Sequence, residues 1–423
     1  MSKRVRCAVA VHGNRTIDGS GGYDEPRAGQ TLPGHAKPDR AASSDPTVTT
    51  DFDTAFSRRD TDSVKWRKYP AEVLPVWVAD MDFQSPLPVR RALAARVEHG
   101  VYGYGEVTDE LRHIVTQRLL NRYGWQVDAG DLVFFPGVVP ALNVICRGFT
   151  AADGRILTAV PIYHPFLDMG ANAGREMIHL QAVVSDGRWE FPVDALARAG
   201  RAGDLLLLCN PYNPVGRHLT GPELAAIVQV CDERGIQIAS DEIHCDLPLD
   251  GQQHQPLATV AGVSSRQSIT LMAASKTFNL AGIGGGFAVV PDAGTRRHLD
   301  AVTAGVLGNI NIMAALAMQV AFESCNEWHR DLLTYLAGNR DYLVDRMQDL
   351  PITMSRVEAT YLAWLDVRAL ELADPATYFE EAGVGMSDGA QFGGGGYMRL
   401  NFGCPRSRLG EVVDRLQAAV EKR

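Results

Sequence analysis

The chain has 423 residues, enough to bury a sizeable core and to divide into two or three domains. Hydrophobic residues at 46% and charged residues at 22% describe an ordinary globular protein, and no run reaches the ~18 apolar residues of a membrane span. A net charge of −9 sets the whole-molecule field against phosphate, which disfavours broad contact with nucleic acid or anionic lipid.

Residues 1–48 are rich in Gly, Pro, Ser, Asp and Arg without periodicity, the pattern of a flexible tail. The basic start MSKRVR is followed only by CAVAV, shorter than a signal-peptide core, so the expected location is cytoplasmic. Residues 49–84 are expected to return and pack on a small C-terminal domain. Within them LPVWVADMDF reads as a short strand and a polar turn. Pro86 then opens a helix that stops at Gly100, and DELRHIVTQRLLNRYG forms a second one ending at Gly124.

From here strand and helix alternate. Apolar runs at 131–135, 155–159, 204–209, 237–240, 269–273 and 285–290 predict strands, and Pro222 to Gly235 is the clearest helix between them. Such alternation predicts an α/β fold with a mainly parallel sheet, here a large domain over residues 85–310. Residues 311–423 are expected to form a smaller α+β domain. Its helices lie near 310–349, VEATYLAWLDV is strand-like, and a final helix has its apolar face at Leu409, Val412, Val413, Leu416 and Val420.

Three strand ends carry polar groups. LLLLCNPYNPVG places Asn210 and Asn213 in a turn, IQIASDEIHCD ends in Asp241, Glu242 and His244, and LMAASKTFNLAGIGGG runs into Ser275 and Lys276. Each has a plain structural explanation. Asn-Pro repeats are turn chemistry, an acidic strand end can cap a helix, and a strand-end lysine can reach solvent. A metal at Asp241, Glu242 and His244 lacks a well-spaced third ligand, so no metal is expected. The seven cysteines, Cys7, Cys146, Cys209, Cys231, Cys245, Cys325 and Cys404, include no C-x-x-C pair, and the six beyond the tail read as buried apolar residues in a reducing compartment. Asn, Asp and Lys at successive strand ends are more specific together than apart, because open α/β sheets bind ligands there.

The order NPxNPxG, SDEIH, then SK followed by FN and glycines resembles the fold-type I pyridoxal phosphate (PLP) enzymes of the aspartate aminotransferase superfamily. With KW at 65–66, VADMDF at 78–83, YGY at 102–104, YLAWLD at 361–366 and RLNFGCPRS at 399–407, the chain is most similar to the MalY/PatB-type cystathionine β-lyase group, over about residues 50–423. The resemblance implies a Schiff base between PLP and Lys276, which is also the catalytic base. It implies that Asp241 pairs with the pyridine nitrogen, that Asn213 and His244 face the phenolic oxygen, and that Tyr163 stacks on the ring and borders the substrate. Arg399 would clamp the substrate carboxylate. Gly137, Val138 and Ser275 would hold the phosphate, with Tyr102 or Tyr104 reaching it from the other subunit of a homodimer. His244 stands where aminotransferases carry tyrosine, which favours a lyase over the alternative of an aminotransferase. Ala273 and Gly284 depart from the family's pattern and remove two side-chain phosphate contacts. The glycine run at 393–396 and the helix start near Asn309 to Ile312 are expected at the entrance. A third reading, from the same group, is a protein that binds a transcription regulator.

Overall fold

Runs of apolar residues too short for a helix, such as ILTAV and LLLLC, form strands in which every residue is buried. That burial on both faces is the property of a sheet covered by helices on each side. The computed structural model describes residues 50–422 apart from 186, 261 and 263–267, and Thr50–Arg423 forms one unit. Its main sheet has seven strands: β1 Leu132–Phe135, β2 Ile156–Val160, β3 Met177–Gln181, β4 Leu205–Cys209, β5 Gln237–Asp241, β6 Ser268–Met272 and β7 Gly286–Val289. The spatial order is β1-β7-β6-β5-β4-β2-β3. All neighbours are parallel except β7, which is antiparallel to both β1 and β6.

Helices α1 Leu87–His99 and α2 Asp109–Tyr123 precede these strands, and α3 Val138–Phe149, α4 Pro165–Ala173 and α5 Gly221–Arg234 connect them. The last shows why they form where the sequence predicts. Thr220 and Glu223 build a capping box, Pro222 sits in the first turn, and Gly235 closes the helix at φ 68°. Helix α6, Ile312–Ser324, follows. Its Ala314, Ala317, Met318 and Phe322 share one core with Met272 and Phe287 of the large sheet.

A second layer system lies in the C-terminal part. Helices α7 Asn326–Met347 and α8 Arg406–Glu421 cover a four-stranded antiparallel sheet, made of β8 Thr353–Met354, β9 Leu362–Asp366, β10 Ser387–Asp388 and β11 Tyr397–Asn401 in the order β8-β9-β11-β10. This is an α/β fold with a large mixed, mainly parallel sheet and a smaller α+β part, as the sequence pattern predicts. The apolar stripe read in the final helix is real: Leu409, Val412, Val413 and Leu416 are buried.

The segment LPVWVADMDF departs from expectation. Only Leu74–Pro75 is strand, paired in parallel with Val384–Gly385. The remainder is an irregular strap, because its backbone groups bond to scattered partners instead of one ladder. Val76 N–H donates to Gly385, Asp82 N–H to Gly403, and Met81 N–H to the Asn279 side chain. Val76, Met81 and Phe83 share a core with the C-terminal sheet. No helix among the described residues is long and apolar enough to cross a membrane.

Candidate active site

The C-terminal ends of β4, β5 and β6 lie side by side, and the chain leaves each of them carrying a polar group. A cavity of about 280 Å³ opens there. Its wall includes Gly137, Val138, Tyr163, Asn213, Asp241, His244, Ser275 and Lys276, each of which the sequence had singled out. Gly284 and Cys209 line it as well. Arg399 stands behind Asn213 and donates to its side-chain oxygen at 2.9 Å. The cavity thus gathers residues from strand ends and one helix start, with Arg399 of the smaller sheet behind Asn213.

Two predicted site residues lie elsewhere. Tyr102 and Tyr104 do not line the cavity of their own chain. Both are exposed, and the Tyr102 hydroxyl donates to the Val97 carbonyl at the end of α1. Asn210 also turns away: its side-chain oxygen accepts from Leu219 N–H and ties the turn together. Glu242 is consumed by structure, accepting from Ser240 and Leu257 N–H and pairing with His254 at 2.7 Å. No cluster among the described residues could hold a metal ion.

Lys276 donates to the Ala79 carbonyl at 2.8 Å. Burial lowers its pKa to about 8, the Arg399 charge adds to this, and Asp80 and Asp241 oppose it. Asp241 is buried, and burial pushes its carboxyl up to about 7, although Ile243 N–H donates to it. It forms no ion pair within hydrogen-bonding reach among the described residues. His244 is held well below its ordinary range, first by burial and then by the charges of Lys276 and Arg399. It is therefore neutral, and its Nδ1 has no hydrogen-bond partner among the described residues. Burial also lowers Arg399, to about 10. Its guanidinium donates to Asn213 and to the Trp77 carbonyl and lies 4.5 Å over the Phe392 ring, with no carboxylate partner among the described residues.

Helix α3 begins at Val138 with its first turn at the cavity. The leading N–H groups of a helix have no partner within it, so this end is a natural anion seat. The turn beside this helix start explains Gly284. Its φ is 79°, a Cβ would approach the Pro136 carbonyl to 2.9 Å, and the next N–H donates to that same oxygen. A side chain at this position has no room.

Several residues escaped the sequence reading as site members. Tyr361 donates to the same Ala79 carbonyl as Lys276. Asn279 adopts φ 54° and clamps the strap by donating to Met81 and Phe83 and accepting from Met81 N–H. Both occur in strings already noted, YLAWLD and the FN after SK, but nothing local reveals a partner about 200 or more positions away.

Residues 72–416 match the family described as aminotransferase class I and II. The chain belongs to this family. Within the class I and II aminotransferases, it is 34% identical over 384 residues to cystathionine beta-lyase PatB of Bacillus subtilis, covering 87% of this chain and 99% of that one. Among solved structures, OvoB is similar with a TM-score of 0.85 and 38% identity, covering 88% of this chain and 100% of its own. Cystalysin from Treponema denticola, which contains pyridoxal 5'-phosphate, is similar with a TM-score of 0.84 and 28% identity, covering 89% of this chain and all of its own. The class I and II chain is thus a fold-type I PLP-family member, in the aspartate aminotransferase superfamily and close to the MalY/PatB group.

Proposed function

We propose that the chain is a PLP-dependent carbon–sulfur β-lyase, which cleaves L-cystathionine or other cysteine S-conjugates to a thiol, pyruvate and ammonia. The observation that carries this reading is the meeting of Lys276, Asp241 and Asn213 around one cavity, with Arg399 bonded to Asn213 behind them. The donor set fits the cofactor. Lys276 offers an amine already near neutrality, and Asp241 is a buried carboxylate suited to a cationic ring nitrogen. His244 and Asn213 suit the phenolic oxygen, Tyr163 the ring face, and Ser275 with Gly137, Val138 and the start of α3 the phosphate. PLP, when bound, supplies an aldehyde carbon for exchange with the substrate amine and a protonated ring that draws electron density from the substrate Cα.

The chain's own groups do the rest. Arg399 takes the substrate α-carboxylate through its planar fork, which fixes Cα beside Lys276. The lysine Nζ, released from the Ala79 carbonyl, removes the Cα proton. The C–S bond then breaks with its electron pair leaving on sulfur, and a proton completes the thiol. Hydrolysis of the remaining fragment consumes water and yields pyruvate and ammonia. Asp241 keeps its charge against the ring throughout. His244, neutral where aminotransferases carry tyrosine, favours elimination over amino transfer. Tyr102 or Tyr104 would complete the phosphate site of a second subunit, in keeping with their exposure.

The test is direct. Purified protein is incubated with PLP and L-cystathionine, then with several other cysteine S-conjugates, and pyruvate and free thiol are assayed. Equal release of both supports the lyase. Conversion of the cofactor to its amine form without pyruvate identifies an aminotransferase instead.

A further inference from the structure

One ionisable residue packed on the cavity-lining Tyr163 has no role in that scheme. His164 precedes α4 and is exposed, between the buried residues Ile162 and Phe166. It occupies the N-cap position, yet its side chain makes no cap bond, so starting the helix does not explain it. The imidazole packs edge-on against Tyr163, with centroids 5.2 Å apart, and edge-on against Phe392 at 5.7 Å. Tyr163 lines the cavity, and Phe392 carries the Arg399 guanidinium on its ring. His164 is therefore the solvent-side neighbour of Tyr163 and of the Phe392 ring that carries Arg399.

We propose that His164 is a specificity residue that receives an acidic group on the outer end of the substrate. This deepens the lyase reading and rests on it. The substrate class it selects is cysteine S-conjugates whose sulfur substituent ends in a carboxylate. Arg399 on β11 and Asp168 on α4 are the charges that act on the imidazole. Tyr163 adds none, since burial pushes its phenol up and keeps it neutral. Burial and then the Arg399 charge hold the imidazole below its ordinary range, with Asp168 opposing. A carboxylate seated on Arg399 cancels that repulsion, so His164 gains proton affinity as substrate binds. A second acidic group then meets an imidazole N–H or imidazolium, whereas an alkyl group meets nothing that favours it.

The experiment uses the full chain loaded with PLP. S-(2-carboxyethyl)-L-cysteine and its neutral counterpart S-propyl-L-cysteine are compared by pyruvate release in wild type, His164→Phe and His164→Lys. Wild type is expected to prefer the acidic conjugate. His164→Phe reduces that preference about tenfold, through KM and not kcat, which is the weight of one charge-assisted hydrogen bond, and His164→Lys restores it. An unaltered preference in His164→Phe, or an equal loss on both conjugates, overturns the assignment. If neither conjugate releases pyruvate, the lyase reading has failed, and binding decides the fate of His164 separately. Glutarate and butyrate are titrated against the cofactor absorbance of the loaded protein. Selective loss of glutarate affinity in His164→Phe supports the assignment, and equal affinities in the two proteins overturn it.

Discussion

At the scale of single residues the site is unusual in what it omits. Ala273 and Gly284 offer the cavity no polar side chain, and the Gly284 turn leaves no space for one. In the proposed function the phosphate would then rest on the α3 terminus, Ser275 and a second subunit. Ser275→Ala is expected to raise the Kd for PLP about tenfold or more, as loss of one hydrogen bond to a charged group does, measured by titrating apoprotein and following absorbance. Lys276 gives a pH signature. Its pKa is lowered to about 8, so the neutral amine that attacks PLP increases as pH rises through that value. The rate at which apoprotein takes up PLP should climb between about pH 7 and pH 9 and then level off. A rate still rising steeply at pH 10 would show an ordinary lysine. Lys276→Ala is expected to lower pyruvate release by about a thousandfold or more while leaving the thermal midpoint close to that of wild type.

The strap between Pro75 and Phe83 is the element that organises the site. Its carbonyls at Trp77 and Ala79 face Arg399 and Lys276, and its far end is anchored by charge. Asp82 is fully buried and pairs with Lys65 at 3.0 Å, Arg58 at 2.8 Å and Arg408 at 3.2 Å, while Trp66 donates to it. Although burial opposes ionisation, Lys65, Trp66 and Arg408 hold this carboxyl below its ordinary range. A lowered folded-state pKa means stability that is present above the unfolded value and lost as pH falls through the folded one. Asp82→Ala leaves a buried ammonium and is expected to cost about 3–5 kcal/mol in urea unfolding. Acid titration of wild type should release the strap only below the ordinary carboxylate range.

The strap also marks the limit of what the sequence discloses. Strands such as 205–209 and the helix at 221–234 are legible because burial periodicity and caps are local signals. Asp241, Asn213 and Lys276 are legible because each ends such a strand. VWVADMDF is not, since alternating apolar residues look alike whether their backbone joins a ladder or bonds to Asn279, Gly385 and Gly403. Tyr361 is hidden for the same reason: its partner Ala79 is 282 positions away. His164 shows a different limit, because its neighbours Phe392 and Arg399 come from the far end of the chain.

For the whole molecule, the exposed pair Tyr102 and Tyr104 matters most. Residues 100–106 are exposed throughout, and the YGY at 102–104 is one of the strings that carry the family resemblance. If a tyrosine serves a second subunit, two inactive proteins should rescue each other. Lys276→Ala and the double variant Tyr102→Phe, Tyr104→Phe are mixed after mild dissociation. Random pairing places one intact site in each mixed dimer, so activity should return to about a quarter of wild type. A mixture no more active than its parts would place these tyrosines outside the site.

The resting bond of Lys276 ends on a carbonyl oxygen, and that oxygen also receives the Tyr361 hydroxyl. An acceptor made of backbone survives any replacement of the side chain that shares its residue. Positions 78–80 can therefore be randomised in a directed-evolution library, and every member that keeps the strap's path inherits the latch on the lysine. Proline is the exception to watch, since at position 80 it restricts the backbone of Ala79 itself.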